Sequence, residues 1–116
     1  MIGNAATDSA DLRGWLIGDF VPAELGLRWT PAVEVKWGVH RLNETRAGWG
    51  VTPSATSLSV LVRGVIRLEF ADGQEALLQE PGDYALWAAG VAHRWRIEQD
   101  DTVVFTVRWP AASEQP

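Results

Sequence analysis

The chain has 116 residues, a length that suits one domain able to bury roughly two-thirds of its unfolded surface. Its hydrophobic content of 47% with 22% charged residues argues against a disordered tail, no run of about 18 apolar residues offers a membrane span, and the lack of cysteine excludes disulfides and thiolate metal sites. Ten basic against fifteen acidic residues give a net charge of −5, which argues against nucleic acid and anionic membranes as partners.

Met1 to Ala10 hold no basic residue and no long apolar run, so neither a secretory signal nor a transit peptide is expected there. Residues 1–10 are read as a flexible N-terminal arm, residues 11–110 as one domain, and residues 111–116 as a short tail, with a cytoplasmic location as the default. Gly14-Trp15 and Ala23-Glu24-Leu25 fit a helical turn or a first strand equally well. From Val33 the pattern has period two: Val33, Val35, Trp37 and Val39 alternate with Glu34, Lys36, Gly38 and His40, which predicts a strand with one apolar face. A second strand is predicted over about Ser57 to Arg63, and Gly64 separates it from an apolar, β-branched stretch from Val65 to Phe70.

Asp72-Gly73 then supplies the pair favoured in a two-residue type I′ turn, so Leu68 to Leu78 reads as a hairpin. Pro81-Gly82-Asp83 punctuates the chain before further short strands at Tyr84 to Trp87, about Ala92 to Glu98, and Thr102 to Trp109. Six or seven short strands with turns between them and no convincing helix predict an all-β sandwich or barrel, because an open sheet would leave edges and an apolar face exposed. The seven tryptophans, Trp15, Trp29, Trp37, Trp49, Trp87, Trp95 and Trp109, are expected mostly in the core, and indoles also line ligand pockets.

The stretch Gly82-Asp83-Tyr84-Ala85-Leu86-Trp87-Ala88-Ala89-Gly90-Val91-Ala92-His93 resembles the second conserved motif of the cupins, which runs Gly, five residues, Pro, any residue, Gly, two residues, His, three residues, Asn. Gly82, Gly90 and His93 fall in register, while Ala88 replaces the proline and Ile97 the asparagine. Upstream, Leu61 to Leu68 looks like the closing half of the first cupin motif, with Gly64 at its terminal glycine. The resemblance spans roughly Val33 to Trp109 and implies a small jelly-roll β-barrel; it also implies a homodimer, since cupins commonly pair through their sheets.

Departures from the family pattern bear on function. The first motif normally supplies His-x-His and a Glu that bind a divalent metal together with the second motif's His. Here Ser57 stands at the Glu position, and Gly50 with Thr52, or Val51 with Pro53, stand at the histidine positions. Only His93 remains, too few donors for a transition metal, so no metal and no cofactor is expected at the usual place. A rearranged metal site would have to recruit His40 to His93, with Glu34 or Glu44.

Alternation puts His93, Trp95 and Ile97 on one strand face and Arg94 and Arg96 on the other, so a His93 that faces the lumen brings Trp95 with it. By the same parity Ser57, Ser59 and Leu61 point inward, where small hydroxyls leave room for a ligand or fill a narrow barrel. Lys36 and His40 share the polar face of their strand and Arg108 lies on the minority face of the last one. If those faces line the lumen they form a cationic pocket for a carboxylate or phosphate; otherwise they are solvated.

The leading expectation is a metal-independent cupin that binds a small aromatic or amphipathic anion, with His93, Trp95, Ser57, Ser59, Lys36, His40, Arg108 and Trp87 as candidate site residues and Trp37 and Trp109 as further stacking candidates. The alternatives are an isomerase, cyclase or lyase with His93 as general acid or base, a metal-dependent cupin with the rearranged site, and a structural homodimer with a vestigial cavity.

Overall fold

In the computed structural model, which describes residues 1–111, each stretch read as a strand forms one and two further strands join them. In chain order they are β1 (Trp15–Ile17), β2 (Glu34–His40), β3 (Thr45–Gly50), β4 (Thr56–Arg63), β5 (Ile66–Phe70), β6 (Glu75–Leu78), β7 (Tyr84–Trp87), β8 (His93–Ile97) and β9 (Thr102–Trp109). They build two antiparallel sheets, one of order β1-β2-β9-β4-β7 and one of order β3-β8-β5-β6. The two further strands have no clean alternation: β1, in the segment left open between a helical turn and a first strand, is three residues long, and β3, not expected from sequence, is exposed almost throughout.

Turn chemistry fixes where strands stop. Gly64, at φ +92, has no room for a Cβ against Thr102 of β9, so a glycine must end β4 there. The β5–β6 connection differs from the expected two-residue type I′ turn. Gly73 N–H donates to the Phe70 carbonyl at 3.0 Å and Phe70 N–H to the Gln74 carbonyl at 2.9 Å, while of Asp72 and Gly73 only Gly73 has a positive φ. This is a three-residue loop with glycine in the left-handed position, and Asp72 uses its carboxylate to accept from Gln74 N–H at 2.9 Å instead of adopting a positive φ itself.

Residues 1–10, read as a loose arm, contain a short helix α1 (Ala5–Asp8) capped by the Asn4 side chain, which accepts from Thr7 N–H at 3.0 Å. Ser9 after it is buried, its carbonyl accepts from Gly14 N–H, and Arg28 donates to the Asp8 carbonyl, so this segment is tied to the domain. At the other end Ala111 is buried and its N–H donates to the Pro31 carbonyl at 3.2 Å; the rest of the expected tail, 112–116, lies outside the described residues. Among the described residues no helix is long and apolar enough to cross a membrane.

Leu61, Ile66, Leu68, Leu78, Ala85, Trp87, Ile97 and Val104 form the core between the sheets. Outside, the four-stranded sheet carries ion pairs: Arg67 with Glu98 at 2.7 Å and Glu75 at 3.4 Å, Arg94 with Glu69 at 3.0 Å, and Arg96 with Glu98 at 3.3 Å. The five-stranded sheet is different. Register places Trp37, Phe105, Val60 and Tyr84 side by side across β2, β9, β4 and β7, and Val35, Val107, Leu58 and Leu86 in the neighbouring row. None of the eight is fully buried, and Tyr84 and Leu86 are exposed.

Candidate functional site

Because the apolar rows of β2, β9, β4 and β7 face outward, the alternate residues face in. They form two polar rows: Glu34, Arg108, Ser57 and Trp87, then Lys36, Thr106, Ser59 and Ala85. His93 and Trp95 of β8 and Ile66 and Leu68 of β5 face them from the other sheet. The space between is a cavity of about 280 Å³, and all eight side chains singled out from sequence, His93, Trp95, Ser57, Ser59, Lys36, His40, Arg108 and Trp87, line it. Trp37 and Trp109 do not: Trp37 packs edge-on against Phe105 on the outer face, and Trp109 is exposed.

Sequence reading missed Arg13, Trp15, Arg46, Thr52 and Thr106, which also line the cavity. Thr106 follows from the parity already applied to Arg108. Arg13 and Trp15 fall in the unassigned N-terminal segment, and Arg46 is on a strand that sequence periodicity does not reveal. Arg46 folds back over Gly50, where a Cβ would lie 2.5 Å from its Nε, and a Cβ on Gly38 would lie 2.7 Å from His40 Nε2. Glycine at these two positions gives the Arg46 and His40 side chains their room.

The lining contains Arg13, Lys36, Arg46 and Arg108 and no Asp or Glu. Arg108 pairs with the fully buried Glu34 at 2.8 Å, an alignment fixed by their direct cross-strand register. Trp15 lies between two cations, with Arg108 Cζ 4.4 Å and Lys36 Nζ 5.3 Å from the ring centroid. Burial first, then the charges of Arg108, Arg13 and Arg46, lower the Lys36 pKa, against an opposing effect of Glu44.

His93 packs on Trp87 with ring centroids 4.8 Å apart. Burial lowers its pKa, the Val91 backbone opposes this, and Arg46 and Arg108 lower it further. The Val91 contact falls outside hydrogen-bonding geometry, and His93 Nδ1 has no hydrogen-bond partner; neither has Ser57 Oγ or Trp87 Nε1. Ser59 and Thr106, one row away, satisfy each other at 2.9 Å.

This donor set does not fit the metal that the fold implies. The cavity offers one imidazole at a family ligand position, accompanied by the hydroxyls of Ser57 and Thr52 and flanked by Arg46 and Arg108. The rearranged site would need His40 with Glu34 or Glu44, but Glu34 is taken by Arg108 and Glu44 by His40, whose Nδ1 lies 2.8 Å from its carboxylate. Among the described residues no three His, Asp or Glu side chains converge as a metal site would require.

By sequence the chain matches no family model and none of the curated proteins compared with it. Its structure is similar to solved ones. KdgF from Halomonas sp. superposes with a TM-score of 0.66 at 16% identity, covering 75% of this chain and 78% of that one. An RmlC-like cupin from Shewanella frigidimarina gives 0.63 at 14% identity over 74% and 73% of the two chains. A cupin superfamily protein from Desulfitobacterium hafniense gives 0.61 at 15% identity over 69% of each. The fold of this chain is the cupin jelly roll.

Proposed function

We propose that the barrel binds a small organic anion in its lumen without a metal. The observation that carries this reading is the cavity lining: four cationic side chains and no carboxylate, in a chain whose net charge is −5. Charge of this sign gathered against the overall balance, in a half-enclosed space where Coulomb interactions are strengthened, favours an anion. The cavity volume of about 280 Å³ equals roughly nine waters at ~30 Å³ each, which sets the ligand at a small molecule. Trp15, Trp87 and Trp95 give its apolar part a surface.

The test is calorimetric titration with carboxylates from acetate to benzoate, each paired with its uncharged amide. Carboxylates bind and amides do not, and Lys36→Met or Arg46→Gln each weakens binding about tenfold, as loss of one charge-assisted contact implies. Equal binding of acid and amide would overturn the reading.

A second reading gains support from His93. Burial and two arginines keep its ring neutral at neutral pH, so it is available as a base beside groups that stabilise an anion. It would take a proton from carbon next to a carbonyl of the bound acid and return it to a neighbouring carbon, as an isomerase does, or to the group expelled from that neighbouring carbon, as a lyase does. Deuterium exchange into 2-oxo acids in D2O, persisting with chelator and lost in His93→Gln, supports catalysis; exchange at the uncatalysed rate leaves binding alone.

The outer face of the five-stranded sheet supports a homodimer. Its two apolar rows carry no charge that could complement a charged partner, and a second copy presents the same flat apolar face under two-fold symmetry. Four strands at ~4.8 Å spacing and about seven residues long give roughly 450 Å² in projection, and more as accessible surface, which approaches the ~800 Å² per partner of a stable interface. Light scattering gives a dimer that Val60→Glu converts to a monomer; a monomeric wild type excludes the pairing.

A further inference from the structure

The cavity has two chemically different ends, joined by a single cross-strand row. Register sets Glu34, Arg108, Ser57 and Trp87 side by side on β2, β9, β4 and β7; Arg108, Ser57 and Trp87 line the lumen, and Glu34 is fully buried against Arg108. At one end is the Arg108 guanidinium, held by Glu34 at 2.8 Å. Two strands further on, ~10 Å away along the backbone, is the Trp87 indole. Between them is Ser57.

At this second end the polar groups lack partners. Ser57 is 1% exposed and Trp87 9%, and neither Ser57 Oγ nor Trp87 Nε1 has a hydrogen-bond partner. His93 Nδ1, on the ring tilted against Trp87, has none either. Buried polar groups are nearly always paired, so two such atoms side by side on one wall, with His93 meeting Trp87 from the other sheet, point to a ligand that pairs them. Their chemistry defines it. An indole N–H can only donate, so the ligand presents an acceptor there, and a serine hydroxyl can donate to the same atom or accept from it.

We infer that the ligand is a bifunctional organic acid: a carboxylate at the Arg108 end and, a few bonds away, a carbonyl or hydroxyl oxygen that accepts from Trp87 Nε1 and Ser57 Oγ. This rests on the anion-binding reading and adds the second group. A plain alkyl carboxylate fills the same space but leaves the indole N–H and the serine hydroxyl buried without partners, so the site selects against it. The row places the two ends on one wall, so the ligand lies across the strands of the five-stranded sheet, with the apolar side chains of β5 over its other side.

The experiment compares two acids of the same size and shape, 4-oxopentanoate and 4-methylpentanoate, with 5-oxohexanoate and 5-methylhexanoate as the next longer pair, by calorimetry on the intact protein. In at least one pair the oxo acid binds about tenfold tighter, the ratio expected from one net hydrogen bond of ~1.4 kcal/mol. Trp87→Phe, which keeps a ring and removes the N–H, abolishes that preference, and Ser57→Ala reduces it, while Arg46→Gln weakens both acids equally. Circular dichroism and the unfolding midpoint confirm that each variant is folded, and Ser57→Ala carries the test if Trp87→Phe is not. Equal binding within both pairs overturns the bifunctional ligand and leaves the anion reading standing. A preference that survives both substitutions overturns the assignment to Trp87 and Ser57. No binding of any acid overturns both readings together.

Discussion

The two sheets of this barrel turn opposite faces to the interior. The four-stranded sheet is conventional: Ile66, Leu68, Leu78 and Ile97 point in, and Arg67, Glu69, Arg94, Arg96 and Glu98 meet each other outside. The five-stranded sheet is reversed over most of its area, with Glu34, Lys36, Ser57, Ser59, Thr106 and Arg108 inside and Val35, Trp37, Phe105, Val107, Leu58 and Val60 outside. Only Leu61, Ala85, Trp87 and Val104 extend the apolar core onto it. Burying the polar face forgoes hydrophobic stabilisation and brings desolvation penalties for Glu34 and Arg108. One wall carries half of the apolar core on an otherwise conventional sheet, and the other carries most of the polar cavity lining.

The strongest test of this contrast is the buried ion pair. Glu34→Leu leaves the Arg108 guanidinium without its carboxylate, and loss of one partner of a buried pair destabilises by ~3–5 kcal/mol; urea unfolding measures it. A loss below ~1 kcal/mol would mean that Arg108 reaches water, and that the reversed face is less enclosed than its register implies. The apolar wall comes next. Ile97 is fully buried, so Ile97→Ala costs about 2–5 kcal/mol. Ser57→Ala, opposite it in character, removes a buried hydroxyl that has no partner and leaves stability unchanged or slightly higher. Equal losses in the two variants would erase the distinction between the walls.

That reversal also marks the limit of what was legible in the sequence. Period-two alternation identified β2, β4 and β9, and the spacing of Gly64, Gly82, Gly90 and His93 identified the jelly roll. Parity grouped Lys36 with His40 and Ser57 with Ser59, and each group is on one face. Which face is inside could not follow from hydrophobicity, since for β2 the rule that apolar residues point inward gives the opposite of the structure. The register with β4 and β9 decides it. Arg13, Trp15 and Arg46 escaped for a local reason: they are on short or exposed segments whose position depends on the neighbouring strand, not on their own pattern.

A smaller effect sharpens the contrast through pH. The His93 pKa is lower in the folded protein than its ordinary 6.5, first through burial and then through Arg46 and Arg108. Between the folded value and 6.5 the unfolded chain binds more protons, so stability rises with pH through that window and falls on acidification below 6.5. Lys36 adds the same sign in an alkaline window ending at its ordinary 10.5. Unfolding free energies therefore slope upward as pH rises toward 6.5, and His93→Gln flattens the slope. Saturating anion also flattens it, because a carboxylate on Arg108 offsets one of the two arginine charges that lower the His93 pKa. A slope unchanged in His93→Gln would show that the ring titrates as it does in water.

The smallest effect belongs to the outer face of the four-stranded sheet. Glu69 and Arg94 meet at 3.0 Å with side chains 39% and 38% exposed, so water and salt screen the pair. Glu69→Ala should cost less than ~1 kcal/mol, and still less in high salt. Arg94 retains another contact after Glu69 is removed, since its guanidinium lies 4.3 Å from the centroid of Trp49 on β3, and this stacking depends little on salt. Arg94→Ala therefore costs more than Glu69→Ala, and the difference persists at 1 M salt. If the two substitutions cost the same at both ionic strengths, the Trp49 contact contributes nothing. The outer face would then be a set of screened ion pairs, and the link between β3 and β8 would rest on their backbone ladder and on the Thr45 hydroxyl, which donates to the Trp95 carbonyl at 2.9 Å.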